Sequence, residues 1–110
     1  KNKDQFSVLN NYHINVVKGF IDRLASTPDG DGSLLDHSLI LYGSGMSDAN
    51  EHNFDPLPIL LMGGANGLIE GGRHLEFAAH TPLANLYLGL MDKFGIHQDS
   101  FGNSTGRLEV

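Results

Sequence analysis

Ser38-Leu39-Ile40-Leu41-Tyr42-Gly43 and Pro58-Ile59-Leu60-Leu61-Met62-Gly63-Gly64 decide the reading of this chain. Each is a short apolar run bounded by turn residues, the pattern of a strand buried on both faces. Pro58 suits a first strand residue, where no ladder donor is needed. Between the runs lies a polar loop, Ser44 to Leu57, carrying Asp48, Glu51, His52 and Asp55. In open α/β sheets, ligands and chemistry gather where strands end. The loop after the first strand is therefore the expected place for a site. Two wholly apolar strands joined by a long loop predict a parallel pair.

Outward from this pair, two amphipathic helices are predicted. The first runs from about Asp4 to Ala25, with Phe6, Leu9, Val16, Val17, Phe20, Ile21 and Leu24 at helical spacing. His13 falls on the same stripe and reads as a partly buried packing residue. Ser26-Thr27-Pro28 ends the helix, because the residue before proline is pushed out of the helical region. The second helix is expected over about Thr81 to Phe94. Thr81 is placed as N-cap, Pro82 as first helical residue and Gly95 at C′. Its stripe of Leu83, Leu86, Tyr87, Leu90, Met91 and Phe94 reads as core.

The remaining segments are turn-rich. Asp29-Gly30-Asp31-Gly32-Ser33 fails as a calcium loop, since Leu34 and Ile40 stand where Gly and Glu are required; it reads as a solvated turn. His37, at the far end of the strand from the loop, reads as structural or exposed. Leu68-Ile69-Glu70 and Arg73-His74-Leu75 around Gly71-Gly72 have the form of a small hairpin. No Lys-Ser/Thr follows those glycines, so a phosphate loop is not indicated. Asn103-Ser104-Thr105 has the glycosylation form, a short and common pattern.

Bulk properties narrow the class. At 110 residues the chain is one domain, 1–110, able to bury a modest core. A net charge of −6 leaves no basic patch for phosphates, arguing against a nucleic-acid partner and against an anionic membrane surface. No apolar run is long enough to span a bilayer. Without cysteine there are no disulfides or thiolate metal sites. The chain has no initiator Met and no signal peptide and reads as a fragment. The two helices are expected to cover the short sheet, an α/β layered arrangement. Its bare edges predict self-association or packing against further chain.

Asp48, His52 and Asp55 offer carboxylate and imidazole donors within a few residues, the types that hold zinc, manganese or calcium. Glu51 could support them. Ser44 or Ser47 could serve as a nucleophile, but Gly43-Ser44-Gly45 lacks the Gly-x-Ser-x-Gly spacing, and nothing in the spacing favours a Ser44–His52–Asp48 triad. A polar loop whose Asp and Asn residues cap turns is the alternative.

The runs Asp29 to Asp36, Leu39 to Asp48, Leu57 to Gly64, Gly72-Arg73-His74, Thr81 to Tyr87 and Ser100 to Gly106 together resemble the C-terminal part of the bacterial HXXSHH-motif proteins, a family of unknown function. The eponymous motif is not among these residues. That family is distantly similar to the alkaline phosphatase and sulfatase superfamily, in which a C-terminal strand ends in a metal-binding Asp and His. The resemblance implies an alkaline-phosphatase-like layered fold, export to the periplasm or beyond, and a metal site to which Asp48 and His52 contribute. It also implies that a nucleophile and further ligands lie upstream, so the chain alone is expected to be inactive. A non-catalytic structural or protein-interaction domain is the other reading.

Overall fold

The computed structural model describes residues 3–110. Helix α1 spans Lys3–Ser26, close to the predicted bounds. Asp4 in its first turn and Arg23 in its last complement the helix dipole, and Lys18 pairs with Asp22 one turn on at 2.6 Å. The Ser26 and Thr27 hydroxyls both donate to the Arg23 carbonyl, diverting the chain before Pro28. Strands β1 (Pro28–Asp29) and β2 (Gly32–Ser33) then form a small antiparallel hairpin. Its two-residue loop places Gly30 at φ 57°, a region that favours glycine.

Strands β3 (Ile40–Gly43) and β4 (Ile59–Met62) lie where the apolar runs predicted them. Their pairing is antiparallel, with Ile40 opposite Met62 and Gly43 opposite Ile59, which corrects the parallel expectation. The physical reason is in the connection. A parallel pair needs a crossover, usually helical; here the 44–58 segment doubles back on itself, Asp48 bridging Asn53, and returns beside its own start. The strands are half-buried rather than covered on both faces, and Leu60 is 50% exposed. The anticipated hairpin over 68–75 does not form; these residues are irregular and largely exposed. The small hairpin of this fold is β1–β2.

After β4 the chain turns sharply. Gly63 has φ 99°, and a Cβ there would stand 2.2 Å from the Ser38 carbonyl oxygen. Gly64, Ala65 and Asn66 donate their N–H groups to the carbonyls of Leu35, Ser38 and Asp36. The 34–38 segment thus joins the β1–β2 hairpin to the end of β4.

Helix α2 spans Leu83–Lys93, and Pro82 is its N-cap. Thr81 does not cap it: its hydroxyl donates to the Ala78 carbonyl at 2.6 Å. At the other end Gly95 N–H bonds Asp92 and Ile96 N–H bonds Met91, the Schellman arrangement expected of glycine at C′. Leu86 and Leu90 of the predicted stripe are buried, but so are Ala84, Asn85, Leu88 and Gly89, while Phe94 is exposed. The C-terminal tail causes this. It folds back over α2, with Leu108 N–H donating to the Asn85 carbonyl at 3.0 Å. A Cβ on Gly89 would lie 1.8 Å from the Leu108 carbonyl oxygen, so only glycine permits the approach. Tyr87 and Phe101 meet edge to face at 6.0 Å.

Two helices and two small antiparallel sheets make a mixed α/β chain. The expectation that both helices cover the sheet is corrected. Helix α1 buries no residue, and its apolar stripe, Phe6, Leu9, Val16 and Phe20, is about half exposed. His13 is exposed on the same helix, its ring tilted against Tyr12. The cover of α2 comes from irregular chain rather than strands. No helix among the described residues is long and apolar enough to cross a membrane.

Candidate functional site

The loop after β3 is ordered by its own polar groups. Ser47 N–H donates to the Asn53 carbonyl at 2.8 Å, and Asn53 N–H to the Asp48 carbonyl at 3.1 Å. Inside this narrow tip, Asp48 Oδ1 accepts the backbone N–H groups of Asn50 at 2.8 Å and Glu51 at 3.3 Å. This is the Asx turn that a short acidic side chain favours. Those donors, Asn50 first, hold the Asp48 carboxyl below its ordinary pKa, aided by the charge of Lys3.

His52 is exposed beside Asn53 in the turn, with φ 53°. A left-handed backbone at a residue other than glycine costs energy and concentrates at functional positions. The Asp48–Asn53 bridge brings His52 back alongside Asp48 in the chain. Asp55 faces elsewhere: its Oδ2 accepts from His80, at 2.7 Å from Nδ1 and 3.0 Å from the backbone N–H. A metal ligand role for Asp55 would compete with that pair. Glu51 accepts from the Asn50 amide at 2.8 Å.

The loop thus carries Asp48 and His52, an oxygen and a nitrogen donor, within one turn and commits Asp55 to His80. A catalytic zinc takes three protein ligands and keeps one position open. Among the described residues no group of three or more His, Cys, Asp or Glu side chains converges on one point. The donor types fit a divalent ion, but the set is short of what would fix one. The serines are not activated either. Ser44 Oγ accepts from Met46 N–H at 3.1 Å, and among the described residues no histidine bonds Ser44 or Ser47.

Three histidine contacts with aspartate among the described residues are absent from the sequence reading: His97 Nδ1 lies 3.0 Å from Asp92 Oδ1, and the other two involve His80 and His37. Asp55 and His80 are 25 residues apart, so no local spacing signals their contact. His37 joins the β1–β2 loop instead, with Nδ1 2.8 Å from Asp29 and Nε2 3.1 Å from Asp31. A signal for that pair was present: a Gly-rich turn that doubles back returns its acidic residues to the segment that follows.

Comparison with family models, with curated proteins and with solved structures returns no match to this chain.

Proposed function

We propose that this chain is part of an exported, phosphatase- or sulfatase-like metal-dependent hydrolase. In that reading Asp48 and His52 supply two ligands of a divalent-ion site completed by groups outside these 110 residues. The observation that carries it is the turn after β3: Asp48 accepts the Asn50 and Glu51 N–H groups there, and His52 in the same turn has a left-handed backbone. The resemblance to the HXXSHH-motif proteins supports it through their distant similarity to the alkaline phosphatase and sulfatase superfamily, in which a C-terminal strand ends in a metal-binding Asp and His. A bound divalent ion supplies Lewis acidity toward an ester oxygen and an acidic water. The chain's own contribution is to present Asp48 as an anion and His52 as an imidazole. It lacks an activated nucleophile and donors for developing charge, so alone it turns over no ester.

A second reading, a non-catalytic structural or protein-interaction domain, is favoured by α1. Its stripe leaves Phe6, Val16 and Phe20 at 49%, 55% and 51% exposure, although Val17, Ile21 and Leu24 are half-buried, and exposed apolar side chains grouped on one helix favour association. A second copy of the chain, or further sequence of the same protein, would cover it.

Hydrolysis of aryl phosphate and aryl sulfate esters, measured with added zinc or manganese, tests the first reading. No turnover above the metal-only blank is expected. Metal-dependent turnover abolished by both Asp48→Ala and His52→Ala would overturn the claim that the chain is inactive alone.

A further inference from the structure

A shallow cleft of about 350 Å³ lies beside the β1–β2 hairpin, lined by Asp31, Gly32, Asp36, His37, Asn66 and Gly67. In its wall His37 is half-buried, with both ring nitrogens on carboxylates: Nδ1 2.8 Å from Asp29 and Nε2 3.1 Å from Asp31. Carboxylates only accept, and a neutral imidazole has one N–H to give. Neutral, the ring turns a lone pair toward one carboxylate; as an imidazolium it satisfies both. The ring also sits against the loop, with Cε1 3.9 Å from where a Cβ on Gly30 would be.

The contact joins the hairpin to the segment directly after it, which the Asp36–Ser33 bonds and the His37 N–H on the Ser33 carbonyl also hold. Asp29 and Asp31 are on the hairpin, whereas His37 is on the 34–38 segment that grips the end of β4. The root of α1 is fastened at the same place: Leu34 N–H donates to the Thr27 carbonyl and Leu35 N–H to the Leu24 carbonyl. Helix α1 buries no side chain and among the named elements meets β2. The C-terminal end of the helix is held at this junction.

We propose that His37 is a pH-operated latch: its imidazolium ties the β1–β2 loop to the 34–38 segment, and loss of its proton loosens the loop and the root of α1. The charged groups facing the ring are Asp29, Asp31 and Asp36; Gly32, Asn66 and Gly67 around the cleft carry no charge. Asp36 is turned to Ser33, whose hydroxyl and backbone N–H it holds at 2.7 and 2.8 Å. The hydrogen bond to Asp29 chiefly raises the pKa of His37; burial, the next largest effect, opposes it, and the charges of Asp29 and then Asp31 add to the rise. The latch is thus closed below the ordinary histidine pKa and opens as pH rises through the raised one.

The test is an NMR pH titration of the His37 ring in the whole chain, with amide exchange protection of Leu34 and Leu35 followed over the same range. A midpoint above the ordinary histidine value is expected, lowered by Asp29→Asn and by Asp31→Asn. Protection should fall through that midpoint, by about tenfold for each unit of the shift. In His37→Gln, protection should be low throughout and free of that step. A wild-type midpoint at or below the ordinary value, or protection flat across it, would overturn the latch. So would a step of unchanged size in His37→Gln.

Discussion

Asn85 and Thr105 exchange two hydrogen bonds: the Thr105 N–H donates to Asn85 Oδ1 at 2.9 Å, and Asn85 Nδ2 donates to Thr105 Oγ1 at 3.2 Å. Asn85 is 6% exposed, the one buried polar side chain among the described residues. Its amide fastens the tail across α2, where Leu108 completes the contact. Asn85→Ala leaves the Thr105 N–H without its acceptor and should destabilise the chain by about 1–3 kcal/mol. Urea unfolding measures it, and a double-mutant cycle with Thr105→Val should show coupling between the two sites.

Gly89 allows the Leu108 backbone to approach, so Gly89→Ala must push the tail away. A loss of roughly 1–3 kcal/mol is expected, as for other overpacked positions. Gly19 gives the opposite sign. It lies within exposed α1 with nothing within 4 Å of a Cβ, so Gly19→Ala should stabilise by about 0.5–1 kcal/mol through helix propensity. Thermal unfolding of the two variants distinguishes a contact effect from a backbone effect.

Asp36 gives an acid-side dependence. The Ser33 hydroxyl, then the Ser33 N–H, lowers its pKa. Its contribution is therefore full above the ordinary carboxylate pKa and is lost as pH falls through the depressed one. The NMR titration of Asp36 should move up toward the ordinary value in Ser33→Ala. An unmoved midpoint would mean that the bond is absent in solution.

The exposed stripe of α1 predicts concentration-dependent association. Sedimentation of the wild type at high micromolar concentration should show species larger than monomer. Phe6→Ser with Phe20→Ser should reduce them, since both rings are about half exposed on the same helix. Monomer alone in the wild type would count against self-association.

Helix and strand positions were legible because they depend on local pattern. The spacing of Phe6, Leu9, Val16 and Phe20 marks α1, and Gly95 marks the end of α2. What the pattern could not carry was partnership. An apolar stripe says that a face prefers burial, and α1 has the stripe without the cover. The buried face of α2 was misjudged because the tail from Phe101 to Val110 looks like loop, yet it delivers Leu108 and Thr105 onto Ala84, Asn85 and Gly89. Strand direction is not legible, because two wholly apolar runs and a long loop suggest a crossover, whereas the Asp48–Asn53 turn folds the loop back. In the candidate site, Asp48 was legible from its place after a strand. The commitment of Asp55 to His80 was not, since it joins residues distant in sequence.

The ligand role of Asp48 and His52 is tested most directly by calorimetric titration of zinc and manganese into the wild type, Asp48→Ala and His52→Ala. Weak binding is expected in the wild type and loss of it in both variants. Affinity should also decline as pH drops through the histidine range, because only the neutral imidazole coordinates. Identical binding in all three proteins would contradict the account.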